Sequence, residues 1–356
     1  MAASALHDLV PALAGRLPRA PLGDWPSPLN AVTLLGRRVW LKREDLSTPG
    51  YAGNKIRPLE LVFGAALDQG KRCVWATGAY GSNHALATVI QAPHAGLESG
   101  VILWPQPPSA TARANLRATL THAGSLTMAP SIVAFPGLAY MQGRHQSSWV
   151  MPPGAATPLG ALGHAGAAVE LLCQLADAKQ ATPQTIVLPV GSTCTSAGLL
   201  VGVALAAHLG LCDPAKLPRI HAVRVTPWPV TAPWRIAGLA VRTAALLRRL
   251  GGPDLGLTSA NVKARLTVVG RYLGDGYGEP TQDGLDAALT FAHRSNLRLD
   301  TTYASKAAAY LIDALPRLPG PVVFWATKSA VPMPSVDLAA IKRAPGYVAR
   351  WLTQRG

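Results

Sequence analysis

Lys55 closes the turn Gly53-Asn54-Lys55, just ahead of an apolar run that reads as a helix. A helix N-terminus disfavours a protonated amine, and burial lowers its pKa further, which together suit a lysine to imine formation with a carbonyl. An ordinary surface lysine near a helix start has the same local pattern. The segment Thr77-Gly78-Ala79-Tyr80-Gly81-Ser82-Asn83-His84 puts Ser82, Asn83 and His84 between a predicted strand and a predicted helix. That is the carboxyl end of a strand, where α/β proteins bind ligands, although Ser82 also fits a simple helix N-cap. The segment Gly191-Ser192-Thr193-Cys194-Thr195-Ser196-Ala197-Gly198 is again a strand-to-helix loop. Its small residues let backbone N–H groups turn inward, and the next helix N-terminus adds partial positive charge, so the loop can cradle one phosphate. It fits neither GxGxxG nor GxxxxGK[ST], which argues against a dinucleotide or a nucleoside triphosphate. Towards the C-terminus stand Gly276-Tyr277-Gly278-Glu279-Pro280, Asp300-Thr301-Thr302-Tyr303-Ala304-Ser305-Lys306 and Phe324-Trp325-Ala326-Thr327-Lys328-Ser329. Taken singly, each tyrosine suits a core as well as a site. The nine histidines show no HExxH or paired-ligand spacing, so no metal is expected.

The elements that must position these residues alternate. β-Rich runs are expected at Val39 to Lys42, Cys73 to Thr77, Val101 to Trp104, Ile186 to Val190, His221 to Thr226 and Val322 to Thr327. Helical stretches are expected at Ser82 to Gln91, Ala110 to His122, Ser196 to Leu209, Thr231 to Leu250, Thr281 to Arg294 and Tyr303 to Leu315. That alternation predicts an α/β protein with mostly parallel sheets covered by helices. Met151 to Gly163, MPPGAATPLGALG, is too rich in Pro and Gly for a continuous element and marks a candidate boundary.

With 356 residues, 49% hydrophobic and 14% charged, the chain can bury a large core and exceeds a single small binding module. Its net charge of +15 raises nucleic acid or an acidic membrane as partners. The basic residues are scattered, with only short pairs such as Arg37-Arg38 and Arg248-Arg249 and without an aromatic-interleaved stripe, so neither partner is expected. The most apolar stretch, Thr185 to Gly210, is broken by Pro189, Gly191, Gly198 and Gly202 and reads as strand, loop and helix. Cys73, Cys173, Cys194 and Cys212 share no CxxC spacing, and Asp8 and Arg16 interrupt any signal-like core, so a reduced cytoplasmic setting is expected.

Together the segments resemble the 1-aminocyclopropane-1-carboxylate deaminase and D-cysteine desulfhydrase family of pyridoxal-phosphate enzymes, which has the tryptophan synthase β-subunit-like fold. The resemblance spans nearly the whole chain, through Lys42-Arg43-Glu44-Asp45-Leu46, Gly53-Asn54-Lys55-Ile56-Arg57, Ser82-Asn83-His84, Pro152 to Gly163, the 191 to 199 loop, Gly276-Tyr277-Gly278 and the 300 to 306 segment. It implies two three-layer α/β/α domains: residues 1–55 with 165–356 as a large cofactor-binding domain, and 56–164 as a small inserted one. It implies that Lys55 carries pyridoxal 5′-phosphate as an imine and returns as the proton-transfer base. Asn83 would bond the cofactor's 3-oxygen, backbone groups of Gly191, Ser192, Thr193 and Cys194 with the Thr195 hydroxyl would hold the phosphate, and Thr327 would face the pyridine nitrogen. Ser82, Tyr277 and Tyr303 match positions that contact substrate, and a homodimer is implied.

Departures from the family pattern rank the reactions. Ala304 stands where the family's deaminases carry a glutamate, which moves ring opening behind β-elimination from a small D-amino acid such as D-cysteine, giving keto acid and ammonia. Pro58 replaces a lysine near the phosphate, His164 replaces a tyrosine, and Lys328-Ser329 replace Gly-Gly. The alternatives are cyclopropane-ring deamination, β-replacement in biosynthesis, and a non-catalytic cofactor binder.

Overall fold

Apolar runs such as Ile186-Val187-Leu188 form strands because both faces of a parallel strand can be covered by helices. The computed structural model describes residues 5–354. Its strands are β1 (Leu29–Leu34), β2 (Arg37–Arg43), β3 (Cys73–Ala79), β4 (Glu98–Trp104), β5 (Ser125–Met128), β6 (Ser148–Met151), β7 (Thr185–Val190), β8 (Arg219–Arg224), β9 (Leu266–Val269) and β10 (Val322–Ala326). Its helices are α1 (Ala5–Leu9), α2 (Ile56–Asp68), α3 (Asn83–Gln91), α4 (Ala110–His122), α5 (Phe135–Gly143), α6 (Pro158–Asp177), α7 (Cys194–His208), α8 (Pro233–Arg249), α9 (Ser259–Ala264), α10 (Gln282–Ser295), α11 (Ala304–Ala314), α12 (Leu338–Ile341) and α13 (Gly346–Thr353).

Two sheets result, one of six strands in the order β1-β2-β10-β7-β8-β9 and one of four in the order β5-β4-β3-β6. Every pairing is parallel except the β1–β2 hairpin. Side-chain alternation along a strand divides the core into layers. Ile186, Leu188, Val323 and Trp325 point into the cluster built by α6, α7 and α8. Val187, Val322 and Phe324 point the other way, into the cluster of α10 and α11. In the smaller sheet, Val74, Ala76, Val101 and Leu103 pack with α2, α3 and α4, and residues Val348, Trp351 and Leu352 of α13 join that cluster. Cys73, Trp75 and Ile102 face α5 on the opposite side.

The stretch from Met151 to Gly163 departs from its expectation in its second half. Thr157 caps α6 by accepting the Gly160 N–H at 3.0 Å, Pro158 occupies the first turn where its missing N–H costs nothing, and the helix runs on through Gly160 and Gly163. Glycine serves close approach here. A Cβ on Gly198 of α7 would stand 2.3 Å from the Ala161 carbonyl oxygen, and one on Gly202 would stand 2.3 Å from that of Ala165. α6 is the one described helix long and apolar enough to cross a membrane, and most of it is buried in this packing.

Two devices hold Lys55 in place. The first is a buried ion network two residues beyond it. Arg57 donates to both carboxylate oxygens of Glu44 at 2.9 and 2.7 Å and to both of Glu170 at 2.9 and 2.8 Å, while the Trp25 ring lies 3.3 Å below its guanidinium carbon. Lys42 donates to Glu170 at 2.5 Å, to the Ser27 carbonyl at 2.9 Å and to Gln174 at 2.7 Å. Two cations and two carboxylates therefore balance, and they join β2, α2 and α6. The second device is Gly53, whose φ of +60° suits glycine and whose absent Cβ would meet the Thr327 carbonyl oxygen at 2.4 Å and the Ser329 nitrogen at 2.5 Å. The Asn54 N–H then donates to that same Thr327 oxygen at 2.9 Å, tying the turn to the end of β10.

Glu170→Gln leaves Arg57 and Lys42 incompletely balanced in the core and is expected to cost about 3–5 kcal/mol at pH 7. Burial by itself raises the Glu170 carboxyl, but Arg57 and Lys42 outweigh it and hold its pKa at about 2 rather than 4.5. Its contribution is thus complete above pH 4.5 and disappears as the pH falls through about 2. Urea unfolding across that window should show a loss of stability in the wild type that the variant lacks, and equal slopes refute the assignment. Gly36 has φ +72° with open space where a Cβ would stand, so Gly36→Ala should cost only about 1–2 kcal/mol of backbone strain. Gly53→Ala adds the collision with β10's end and should cost at least about 2 kcal/mol more in the same titration.

Candidate active site

The carboxyl ends of β3, β7 and β10 open into one cavity of about 900 Å³. Of the residues expected at a site, Lys55, Ser82, Asn83, Gly191, Ser192, Thr193, Thr195, Tyr277, Tyr303 and Thr327 line it. Cys194 does not. Its side chain turns into the core and donates to the Ala155 carbonyl at 3.2 Å, and burial pushes its thiol up to about 12.

Lys55 ends the short turn before α2. Burial lowers its pKa, opposed in part by Cys194, and its amine has no carboxylate partner among the described residues. That shift favours the neutral amine, whose lone pair can attack a carbonyl. Ser82 caps α3 by accepting the Ala85 N–H at 3.2 Å while also lining the cavity, so both roles expected of it coexist in one residue.

Asn83 opens α3 with its amide fixed. Its Oδ1 accepts from Tyr51 Oη at 3.0 Å and from Asn115 Nδ2 at 2.7 Å, which leaves its NH₂ as the group free to donate. α7 starts at Cys194, so the N–H groups of Cys194, Thr195 and Ser196 have no intrahelical acceptor and form an anion cradle beside Gly191, Ser192 and Thr193. The Thr195 hydroxyl accepts from Asn54 Nδ2 at 3.1 Å and pairs with His164 Nε2 at 3.2 Å. His164 is fully buried, and burial with the nearby Lys55 and Arg57 charges keeps its ring neutral. His84, with both ring nitrogens unpaired, is likewise neutral, its pKa lowered to about 3 by burial and by Lys55.

On a further wall the hydroxyls of Tyr277 and Tyr303 are hydrogen-bonded to each other, their rings edge-on with centroids 6.0 Å apart. Burial raises both pKa values, so both phenols stay protonated at neutral pH. Asp300 caps the turn that presents Tyr303, accepting the N–H groups of Thr302, Tyr303 and Ala304 at 2.8 to 3.0 Å. Lys306 donates to the carbonyls of Leu273 at 2.6 Å and Gly276 at 3.2 Å, which fixes the loop carrying Tyr277. Ala304 is buried in the apolar cluster of α11, and neither Asp nor Glu lines the cavity.

Sequence reasoning passed over Tyr51, Asn115 and Lys306 as positioning residues. Lys306 was within reach, since it lies one helical turn beyond Tyr303. Tyr51 and Asn115 reach Asn83 from elements 32 positions away on either side, and no local pattern reports that. The arrangement can bind an aldehyde through an amine, cradle a phosphate at a helix N-terminus, and give one amide hydrogen bond between them.

Known proteins share this organisation. A family model described as pyridoxal-phosphate dependent enzyme matches residues 21–328. Nocardicin C-9′ epimerase of Nocardia uniformis subsp. tsuyamanensis is 33% identical over 329 residues, covering 88% of this chain and 94% of that protein. A D-cysteine desulfhydrase of Salmonella paratyphi C is 28% identical over 337 residues, covering 88% and 95%. The crystal structure of a 1-aminocyclopropane-1-carboxylate deaminase homologue shares the fold, with a TM-score of 0.72 at 24% identity over 99% of both chains. With the family match running through the Lys55 turn, the 191–195 cradle and the end of β10, the chain belongs to the pyridoxal-phosphate-dependent enzymes.

Proposed function

We propose that the chain removes the α-proton of an amino acid and expels a β-substituent, and that water then hydrolyses the unsaturated product to keto acid and ammonia, as from D-cysteine. The observation that carries this reading is the single cavity in which an unpaired, pKa-lowered Lys55 amine meets the α7 N-terminus and the free amide NH₂ of Asn83. These groups fit pyridoxal phosphate: an amine for its aldehyde, backbone groups of residues 191–194 with the Thr195 hydroxyl for its phosphate, Asn83 for its 3-oxygen and the Thr327 hydroxyl for its ring nitrogen. When bound, the cofactor supplies the electron sink for the carbanion. The chain's own groups move the protons. Lys55 Nζ, favoured in its neutral form, takes the α-proton. Ser82 holds the substrate at the start of α3, and the protonated Tyr277–Tyr303 pair supplies a proton to the leaving group. With no carboxylate on the wall and Ala304 buried, elimination stands ahead of ring opening.

A second reading, epimerisation at Cα, is favoured by the same tyrosine pair, which can return a proton to the α-carbon, and by the similarity to nocardicin C-9′ epimerase. The proposal extends to a homodimer in the cytoplasm, supported there by four unpaired cysteines, and to the absence of nucleic-acid and membrane partners. It also extends to the division into 1–55 with 165–356 and 56–164, to which the packing of α13 adds a C-terminal cover on the smaller unit.

Borohydride reduction of the cofactor-loaded protein, followed by peptide mass spectrometry, should place the pyridoxyl group on Lys55. Lys55→Ala should lack it and lose about 10³-fold or more in turnover. In D₂O, D-cysteine should give pyruvate and ammonia. Deuterated cysteine of inverted configuration without ammonia would select epimerisation, and full turnover by Lys55→Ala would sink both readings.

A further inference from the structure

The cavity extends well beyond Lys55 and the tyrosines. One side of its outer part is Trp104 and Phe135, with ring centroids 4.8 Å apart. The other is Trp228 and Trp234, on the segment that follows β8 and enters α8, and these are 61% and 54% exposed. Indole surface left open in this way marks a binding groove more often than ordinary surface. Arg235 and Arg242 line the same part, two turns apart on α8, and Gly238 lies between them. The Arg242 guanidinium folds back over Gly238, 3.4 Å from where a Cβ would stand. Neither arginine has a carboxylate partner among the described residues.

Size and charge then narrow the occupant. About 900 Å³ lies near the top of the roughly 300–1,000 Å³ range of pockets for drug-sized ligands. The cofactor beside Lys55 and the 191–195 loop would take the inner part of that volume, and D-cysteine, three carbons and a sulfur, is too short to fill the outer part as well. Apart from Lys55, whose neutral form burial favours, the cavity wall carries the cations Arg235, Arg242 and Lys328 but no acidic side chain among the described residues. Resting on the amino-acid reading above, we propose that the preferred substrate is an aryl amino acid whose side chain ends in a carboxylate. Its ring lies among Trp104, Phe135 and Trp228, and its remote carboxylate faces Arg235 and Arg242. The wall opposite the arginines supplies no competing negative charge, so the terminal anion is recognised by two unpaired cations.

Calorimetric titration of the cofactor-loaded protein with D-alanine, O-methyl-D-tyrosine and O-carboxymethyl-D-tyrosine tests this. None of the three has a leaving group at Cβ, so binding is read without elimination. O-methyl-D-tyrosine should bind about tenfold tighter than D-alanine from burial of its ring. The carboxymethyl ligand should gain about a further fivefold from the exposed arginines. In Arg235→Gln/Arg242→Gln the ratio between the two aryl ligands should fall to about one, and Trp228→Ala should weaken both aryl ligands more than D-alanine. Equal affinities for D-alanine and the aryl ligands, or an unchanged ratio in the arginine double variant, overturn the proposal. A fall in oligomeric mass on Trp228→Ala overturns it too, because a second copy of the chain would then occupy the groove. Deuterium exchange at Cα of the three ligands separates the two levels: exchange without aryl preference overturns this inference alone, whereas no exchange in any ligand overturns the amino-acid reading beneath it.

Discussion

The geometry of the site depends on four charges buried almost completely from water. Arg57 spans Glu44 and Glu170 with both of its guanidinium edges, and Lys42 completes the balance from β2. Such a network is a poor source of net stability, because desolvating the ions offsets most of their attraction. Its strength lies in direction. A guanidinium donates bidentately to two carboxylates only in its own plane, so α2, α6 and the turn after β2 can meet in one arrangement. Lys55 sits two residues before Arg57, and the glycine turn closes on β10 from the other side. The amine is therefore positioned by contacts at both ends of a short segment, while its own nitrogen is left without a partner. A reactive lysine needs that combination of a rigid stem and an unsatisfied tip.

How much of this was legible follows from where each element lies in the sheets. The six strands readable as apolar runs are β2, β3, β4, β7, β8 and β10, and each has a neighbour on both sides. The four that escaped, β1, β5, β6 and β9, are the edges of the two sheets. Edge strands are short and partly wet, so the continuous apolar signal is absent from them. β1 shows the difficulty well. It joins β2 through Leu35 and Gly36, both with positive φ, yet Leu-Gly lacks the Asn-Gly or Asp-Gly signature of such a turn. The Pro- and Gly-rich segment before residue 163 misled for a different reason. Glycine in a helix usually signals weakness, but along α6 and α7 it is the condition for two backbones to approach closely.

Site residues divide in the same way. Lys55, Ser82, Asn83 and the 191–195 loop stand at strand ends in the sequence itself, and their positions follow from the βα alternation. Tyr277 and Tyr303 become a unit through their own hydrogen bond and through Lys306, which grips the loop of the first from the helix of the second. That coupling crosses from one loop to another and cannot be inferred from either segment read alone. The aromatic outer wall is less legible still, because Trp104, Phe135, Trp228 and Trp234 come from three separate segments and none has a motif.

The electrostatics of the cavity bear on reaction choice as much as on binding. Two phenols pushed upward by burial cannot serve as bases near neutrality, so the proposed function gives proton removal to the lysine and proton delivery to the tyrosines. A neutral His84 and a neutral His164 add no competing acid. In the two readings proposed above, elimination and epimerisation share one base and one donor, and differ in which atom the phenolic proton reaches. That choice belongs to the substrate's side chain. A good leaving group at Cβ draws the electrons away before the α-carbon is reprotonated, whereas a side chain anchored among the outer indoles, with nothing to expel, leaves Cα as the acceptor. The same walls can thus direct either outcome, with the outer part of the cavity deciding which substrate is held long enough to experience it.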